Sequence, residues 1–168
     1  MKVCIYGAGA IGGWIGVHLA QKGHAVSVVA RGLTLEALKK NGLQCVQAQT
    51  QSQSPEASLS ANLGANLSAN VKVSADPADL GPQDLIIVAV KAPAMLDVAQ
   101  GIAPLLGPDT MVMTAMNGVP WWFFEGFGQS LQGTRLNTID PEGLIGQAIP
   151  AHHVVGCVVH ASCSLDAP

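Results

Sequence analysis

Charge is scarce in this chain. Only 11% of its 168 residues are Asp, Glu, Lys or Arg, and the formal net charge is −3. A nucleic-acid binder gathers Lys and Arg into a patch or stripe. No basic stretch occurs here, so nucleic acid is set aside as a partner. Long apolar runs are also missing: no run reaches the roughly 18 uninterrupted apolar residues of a membrane span. The most apolar stretch, residues 85–90 (LIIVAV), stops at Lys91 with Pro93 two residues on. The four cysteines (Cys4, Cys45, Cys157 and Cys163) form no CxxC pair. A chain of this length can bury a core without staples, so a disulfide scaffold is not expected, and buried thiols in a reducing cytoplasm are. There is no HExxH and no Cys/His spacing that suits a metal. The adjacent His152 and His153 would rarely converge on one ion, so no metal site is assigned.

What is present is concentrated at the start, in MKVCIYGAGAIGGWIGVHLAQKGHAVSVVARG. A secretory leader would begin basic and continue apolar. Here Lys2 is the only early charge, and the glycines stand at fixed places. Residues 3–5 read as a short buried strand with Tyr6 leading out of it. Gly7, Ala8, Gly9, Ala10, Ile11 and Gly12 follow. Ile11, Ile15 and Leu19 then recur at helical spacing up to a stop at Lys22-Gly23. Residues 25–30 (AVSVVA) read as a second strand. Strand, glycine turn, helix, strand is the setting in which GxGxxG acquires meaning. The first glycine turns the chain sharply, the second lets a pyrophosphate approach the backbone, and the third lets helix and strand pack closely. Unpaired N–H groups at the helix start would then face the phosphates. A dinucleotide is the predicted ligand.

An NAD site carries an Asp or Glu about 20 residues beyond the glycines, on the ribose 2′-hydroxyl. No acid stands at the end of the second strand; Arg31 does. A guanidinium pairs with a 2′-phosphate in bidentate fashion. NADP(H) is therefore favoured over NAD(H), the alternative being an ordinary surface arginine.

Further along, residues 34–41 read as a short helix with Thr34 as its N-cap, and residues 43–46 as a strand. Residues 47–70 (QAQTQSQSPEASLSANLGANLSAN) have too little bulk to pack and read as an exposed, mobile insertion, in the form of a floppy hairpin. Strands are expected at 71–73, 85–90, 111–115 and 154–160, and a turn or short helix at 76–80. A helix is expected from near Pro93 to just before Gly107. This alternation predicts an α/β fold, a doubly wound and mostly parallel sheet in a single domain. Ligands on such sheets bind beyond the carboxyl ends of the strands. That rule selects the Gly7–Gly12 turn, Arg31, Lys91, Asn117 and the region near His160. Lys91 is read as meeting phosphate or substrate, or as a snorkelling lysine at a strand exit. Asn117 is read as donating and accepting beside a nicotinamide or carbonyl, or as a turn former before Gly118. The run Trp121-Trp122-Phe123-Phe124 is expected to pack against another domain or subunit rather than touch substrate.

The ordered set GAGAIGG, ARG, AVKAPAM, MNGVPWWFF and GCVVHASC resembles the N-terminal domain of ketopantoate reductases (2-dehydropantoate 2-reductases). The match covers nearly the whole chain apart from the insertion. The resemblance implies NADPH-dependent reduction of 2-dehydropantoate, a small 2-keto acid, to pantoate on the route to coenzyme A. It implies cofactor contacts from Gly7–Gly12, Arg31, Lys91 and Asn117, with Ala161 of the His160-Ala161 pair near the nicotinamide. Members of that family run to about twice this length. Their catalytic lysine and a substrate-binding glutamate lie in a helical second domain. The resemblance therefore places the catalytic residues beyond Pro168, with none expected in this chain, and a homodimer is expected of the full-length form. A related oxidoreductase acting on another small 2-keto substrate, and a non-catalytic dinucleotide-binding module, are the alternatives.

Overall fold

A computed structural model describes residues 1–46, 66–126 and 129–165. Aliphatic and β-branched runs make the strands of one main sheet: β1 (Lys2–Tyr6), β2 (Ala25–Val29), β5 (Lys72–Ser74), β6 (Leu85–Val88), β7 (Met111–Ala115) and β8 (Val154–Cys157). All six are parallel and lie in the order β5-β2-β1-β6-β7-β8. Counted within this sheet, the order is third, second, first, fourth, fifth, sixth. The winding reverses between β1 and β6, which places the switch point of a dinucleotide-binding fold there. Cys4 of β1 stands opposite Ser27 on one side and Ile86 on the other.

Alternation along the strands feeds two apolar layers. Cys4, Tyr6, Ile86, Val88 and Val112 face helix α3 (Met95–Gly101), which buries Met95, Val98 and Ala99 against them, and α4 (Leu144–Ala148) with Ile145. Val3, Ile5, Val28 and Ile87 face the other way, onto Val17 of α1 (Ala10–Gln21) and Leu38 of α2 (Gly32–Asn41). A Cβ on Gly12 would lie 2.1 Å from the Gly7 carbonyl oxygen, so α1 sits on β1 at a distance that only glycine permits.

The structure corrects several boundaries. Residues 47–65 lie outside the described residues. Near its end, the stretch read as a floppy hairpin insertion carries a regular strand: β4 (Leu67–Ala69) pairs antiparallel with β3 (Leu43–Cys45). Leu67 and Ala69 pack onto the α1 layer, and Gln21 Nε2 donates to the Ser68 carbonyl at 2.7 Å. Helix α2 begins at Gly32 with Arg31 as its N-cap residue, so Thr34 falls within the first turn and caps nothing. The expected helix after Pro93 is broken into 3₁₀ turns at Ala92–Ala94 and Ala103–Leu105 around α3. The strand expected over 154–160 stops at Cys157. Pro168, beyond which the catalytic residues are expected, itself lies outside the described residues, which reach Leu165. Trp121 is buried in the chain's own core beside Ile145 and Ile149, and Trp122 packs over Gly156. Trp121 thus belongs to this domain's own core, contrary to the expectation for the run, while Trp122, Phe123 and Phe124 remain half-buried. Phe123 and Phe124 meet edge to face, with ring centroids 5.0 Å apart. All four cysteines are free thiols. Among the described residues no helix is long and apolar enough to cross a membrane.

Candidate functional site

The crevice opens beyond the carboxyl ends of β1, β2, β6 and β7, where the switch point requires it. The glycine turn divides it into two adjoining hollows, and Gly7 and Gly9 line both. Gly7 carries φ +97°, a conformation that favours glycine, and its N–H donates to the Val29 carbonyl at 3.3 Å. Gly9 is the N-cap residue of α1. No side chain caps the helix start, and no acid stands in its first turn. A Cβ built on Gly9 meets nothing within 4 Å, so it would project into the crevice rather than into protein. The first N–H groups of a helix have no intrahelical partner. The turn is therefore a concave, positively polarised surface with room for a phosphate group. Gly12 stands behind this surface, in the contact between helix and strand.

The smaller hollow, of about 270 Å³, lies on the β2 side and includes Tyr6, Ala8, Val29, Ala30, Arg31 and Asp97. Arg31 stands just past the end of β2. Its Nη1 lies 3.4 Å from Asp97 Oδ2, with 61% and 64% of the two side chains exposed, so water screens the pair heavily. Asp97 belongs to the first turn of α3. Tyr6 is buried, and its hydroxyl has no hydrogen-bond partner among the described residues. Burial pushes its pKa up, and the nearby Arg31 charge opposes that shift.

The larger hollow, of about 810 Å³, lies toward β6 and β7 and brings together Ala10, Ile11, Lys91, Asn117 and Ala161. Lys91 is exposed at the exit from β6. Asn117 is held at the end of β7. Its Nδ2 donates to the Val159 carbonyl at 3.1 Å, and its Oδ1 accepts from the Val159 N–H at 2.9 Å. The side chain thus mimics one more rung of the β7–β8 ladder after the backbone pairing has ended, and it fixes the segment that carries Ala161. His160 is exposed and lines neither hollow. Leu165 touches both.

The tertiary fold thus gathers the glycine turn, Arg31, Lys91, Asn117 and Ala161 along one crevice, with Gly12 behind it. Sequence reasoning missed Asp97 and Tyr6. Asp97 is separated from Arg31 by 66 positions, beyond any local spacing rule. Its only local signal is its place in the first turn of the helix that follows the most apolar strand.

The family model described as ketopantoate reductase PanE/ApbA matches residues 3–120. This chain belongs to that family. The matched span contains the glycine turn, Arg31, Asp97, Lys91 and Asn117, and Ala161 falls outside it. A 2-dehydropantoate 2-reductase from Mesorhizobium japonicum is 43% identical over 100% of this chain and 47% of its own length. The crystal structure of a candidate ketopantoate reductase from Ralstonia solanacearum MolK2 is 50% identical, with a TM-score of 0.83 over 99% of this chain and 47% of that one. A D-mandelate dehydrogenase solved with NADH and anilino(oxo)acetate shares the fold at 22% identity, with a TM-score of 0.68 over 100% of this chain and 44% of that one. The chain spans about half the length of the relatives it matches.

Proposed function

We propose that this chain is the cofactor-binding half of a cytoplasmic, NADPH-dependent 2-dehydropantoate 2-reductase, whose catalytic residues follow Pro168. The observation that carries the reading is the glycine turn. Gly9 offers an approach to bare backbone at the start of α1, and Gly12 is locked against β1 behind it. When bound, NADPH supplies the hydride that reduces the ketone of the 2-keto acid. The residues of this chain hold and orient it. The N–H groups of the first turn of α1 take the pyrophosphate. Gly7, Ala8 and Gly9 form the floor under it, and Ala10 and Ile11 form its edge. Arg31 takes the 2′-phosphate as a charge-assisted, bidentate partner. Lys91 places a cation on the nicotinamide side, where it attracts the carboxylate of the substrate or a phosphate oxygen. Asn117 acts through Val159, holding Ala161 against the nicotinamide half of the crevice. Membership of the family and the relatives' names support the choice of activity.

Calorimetric titration of NADPH and NADH, side by side at one salt concentration, tests the cofactor assignment. Tighter binding of NADPH is the expected result, and binding of neither overturns it. Turnover of 2-dehydropantoate by the intact protein, set beside other small 2-keto acids, tests the substrate. Faster turnover of another keto acid would replace 2-dehydropantoate while leaving the cofactor assignment standing.

A further inference from the structure

The β2 end of the crevice holds both signs of charge. The strand runs out as Val29-Ala30-Arg31 with no acid beside it in sequence. The fold supplies one from elsewhere: Asp97, on the first turn of α3, reaches across the end of β1 to 3.4 Å from Arg31. A guanidinium there attracts a 2′-phosphate. A carboxylate there accepts hydrogen bonds from free ribose hydroxyls and repels a phosphate. Neither side chain is locked, since each is more than half exposed, so either can exchange its partner for a ligand group. The wall around them is largely apolar, from Val29, Ala30 and Val98. Buried Tyr6, beside Arg31, lines the same hollow. Thr34, in the first turn of α2, adds a hydroxyl to the same hollow, and the two charges are the groups there that discriminate by sign between a ribose hydroxyl and a phosphate.

We propose that Asp97 is a specificity-determining residue of the site, which tempers the preference of Arg31 for a 2′-phosphate so that NADH is accepted beside NADPH. The inference rests on reading the crevice as a dinucleotide site. Its test is a titration of the intact protein and its Asp97→Asn and Asp97→Glu variants with NADPH and with NADH, at low and at high salt. Asp97→Asn removes the repulsion and frees the guanidinium. The ratio of NADPH to NADH affinity then rises about fivefold at low salt and by less at high salt, because charge repulsion between exposed groups is screened. Asp97→Glu retains the charge and keeps the ratio within about twofold of wild type, as expected when a carboxylate rather than its exact reach sets the preference. If Asp97→Asn binds both dinucleotides with an unchanged ratio, the assignment of Asp97 is overturned and the dinucleotide site stands. If wild type and variants bind neither, the dinucleotide reading itself is overturned and this inference falls with it.

Discussion

A methyl group placed on Gly9 should weaken dinucleotide binding at least about tenfold without unfolding the chain. The backbone at Gly9 has φ −72° and ψ −168°, which alanine adopts freely. Its Cβ would meet no heavy atom within 4 Å. Two small terms oppose each other. Alanine restricts the unfolded chain, which stabilises the fold by about 0.4–1 kcal/mol, but it is a poorer N-cap than glycine by a similar amount. The net change in stability should stay within about 1 kcal/mol, or about 4 °C in Tm for a domain of this size. Binding is another matter, because the methyl stands where the pyrophosphate would meet the backbone. Forcing the phosphate outward by ~1 Å or more breaks one or two charge-assisted hydrogen bonds of about 1.5–3 kcal/mol each. The expected loss in NADPH affinity is at least about tenfold. Calorimetric titration paired with thermal melting reads both quantities on one sample. Gly12→Ala is the contrasting variant. Its Cβ would lie 2.1 Å from the Gly7 carbonyl oxygen, so helix and strand must separate, at about 1–3 kcal/mol, and melting and binding should fall together. Wild-type NADPH affinity in Gly9→Ala would refute the assignment of this turn as the phosphate cradle.

Three further outcomes are expected. Arg31→Ala should weaken NADPH by about 1.5–3 kcal/mol, the worth of a charge-assisted contact, and leave NADH nearly unchanged; equal losses for both would remove Arg31 from its role. Asn117→Ala deletes both hydrogen bonds to Val159 and should cost about 1–2 kcal/mol of local stability. Hydrogen exchange at the Val159 amide should quicken far more than at β1, and an unchanged rate would show that the clamp contributes nothing. Burial pushes the Cys4 thiol from its ordinary 9.0 up to about 12, against weaker opposing hydrogen bonds from Ser27 and Val29. The unfolded chain releases that proton near pH 9 while the folded chain keeps it. Stability is therefore full below pH 9 and should fall above it, by up to about 1.4 kcal/mol per pH unit. Urea unfolding between pH 8 and 11 measures the slope, and Cys4→Ala should make it shallower; an identical slope in the variant would refute this origin.

Much of this protein is written locally. Residues 3–5, 25–29, 86–88 and 111–115 are short apolar runs, and such runs fold as buried parallel strands because both of their faces need cover. GAGAIG between a strand and a helix has one well-populated geometry, since each glycine answers a steric demand set within a few residues. Arg31 is tied to the same unit by its distance from the glycines along a single βαβ turn. The fold class and the phosphate cradle were legible for that reason. The segment at 67–69 (Leu-Ser-Ala) was not, because three residues are too few to show a period inside a Ser/Ala/Asn-rich stretch, and its pairing with residues 43–45 depends on α1 lying beneath both. The burial of Trp121 was not legible either, since an aromatic run reads alike whether it covers its own core or a neighbour's.

The sequence by itself determined most strands of the main sheet, helix α1 and the glycine turn, all consequences of patterns among residues near one another in the chain. Only the tertiary structure decided what completes the site. The sheet order set β6 beside β1 and so carried Asp97 to Arg31 across 66 positions. The same order set β8 beside β7 and turned the Asn117 side chain into a clamp on Val159. Both contacts join segments that follow different strands and meet only when the whole sheet has assembled, and no local spacing encodes that meeting.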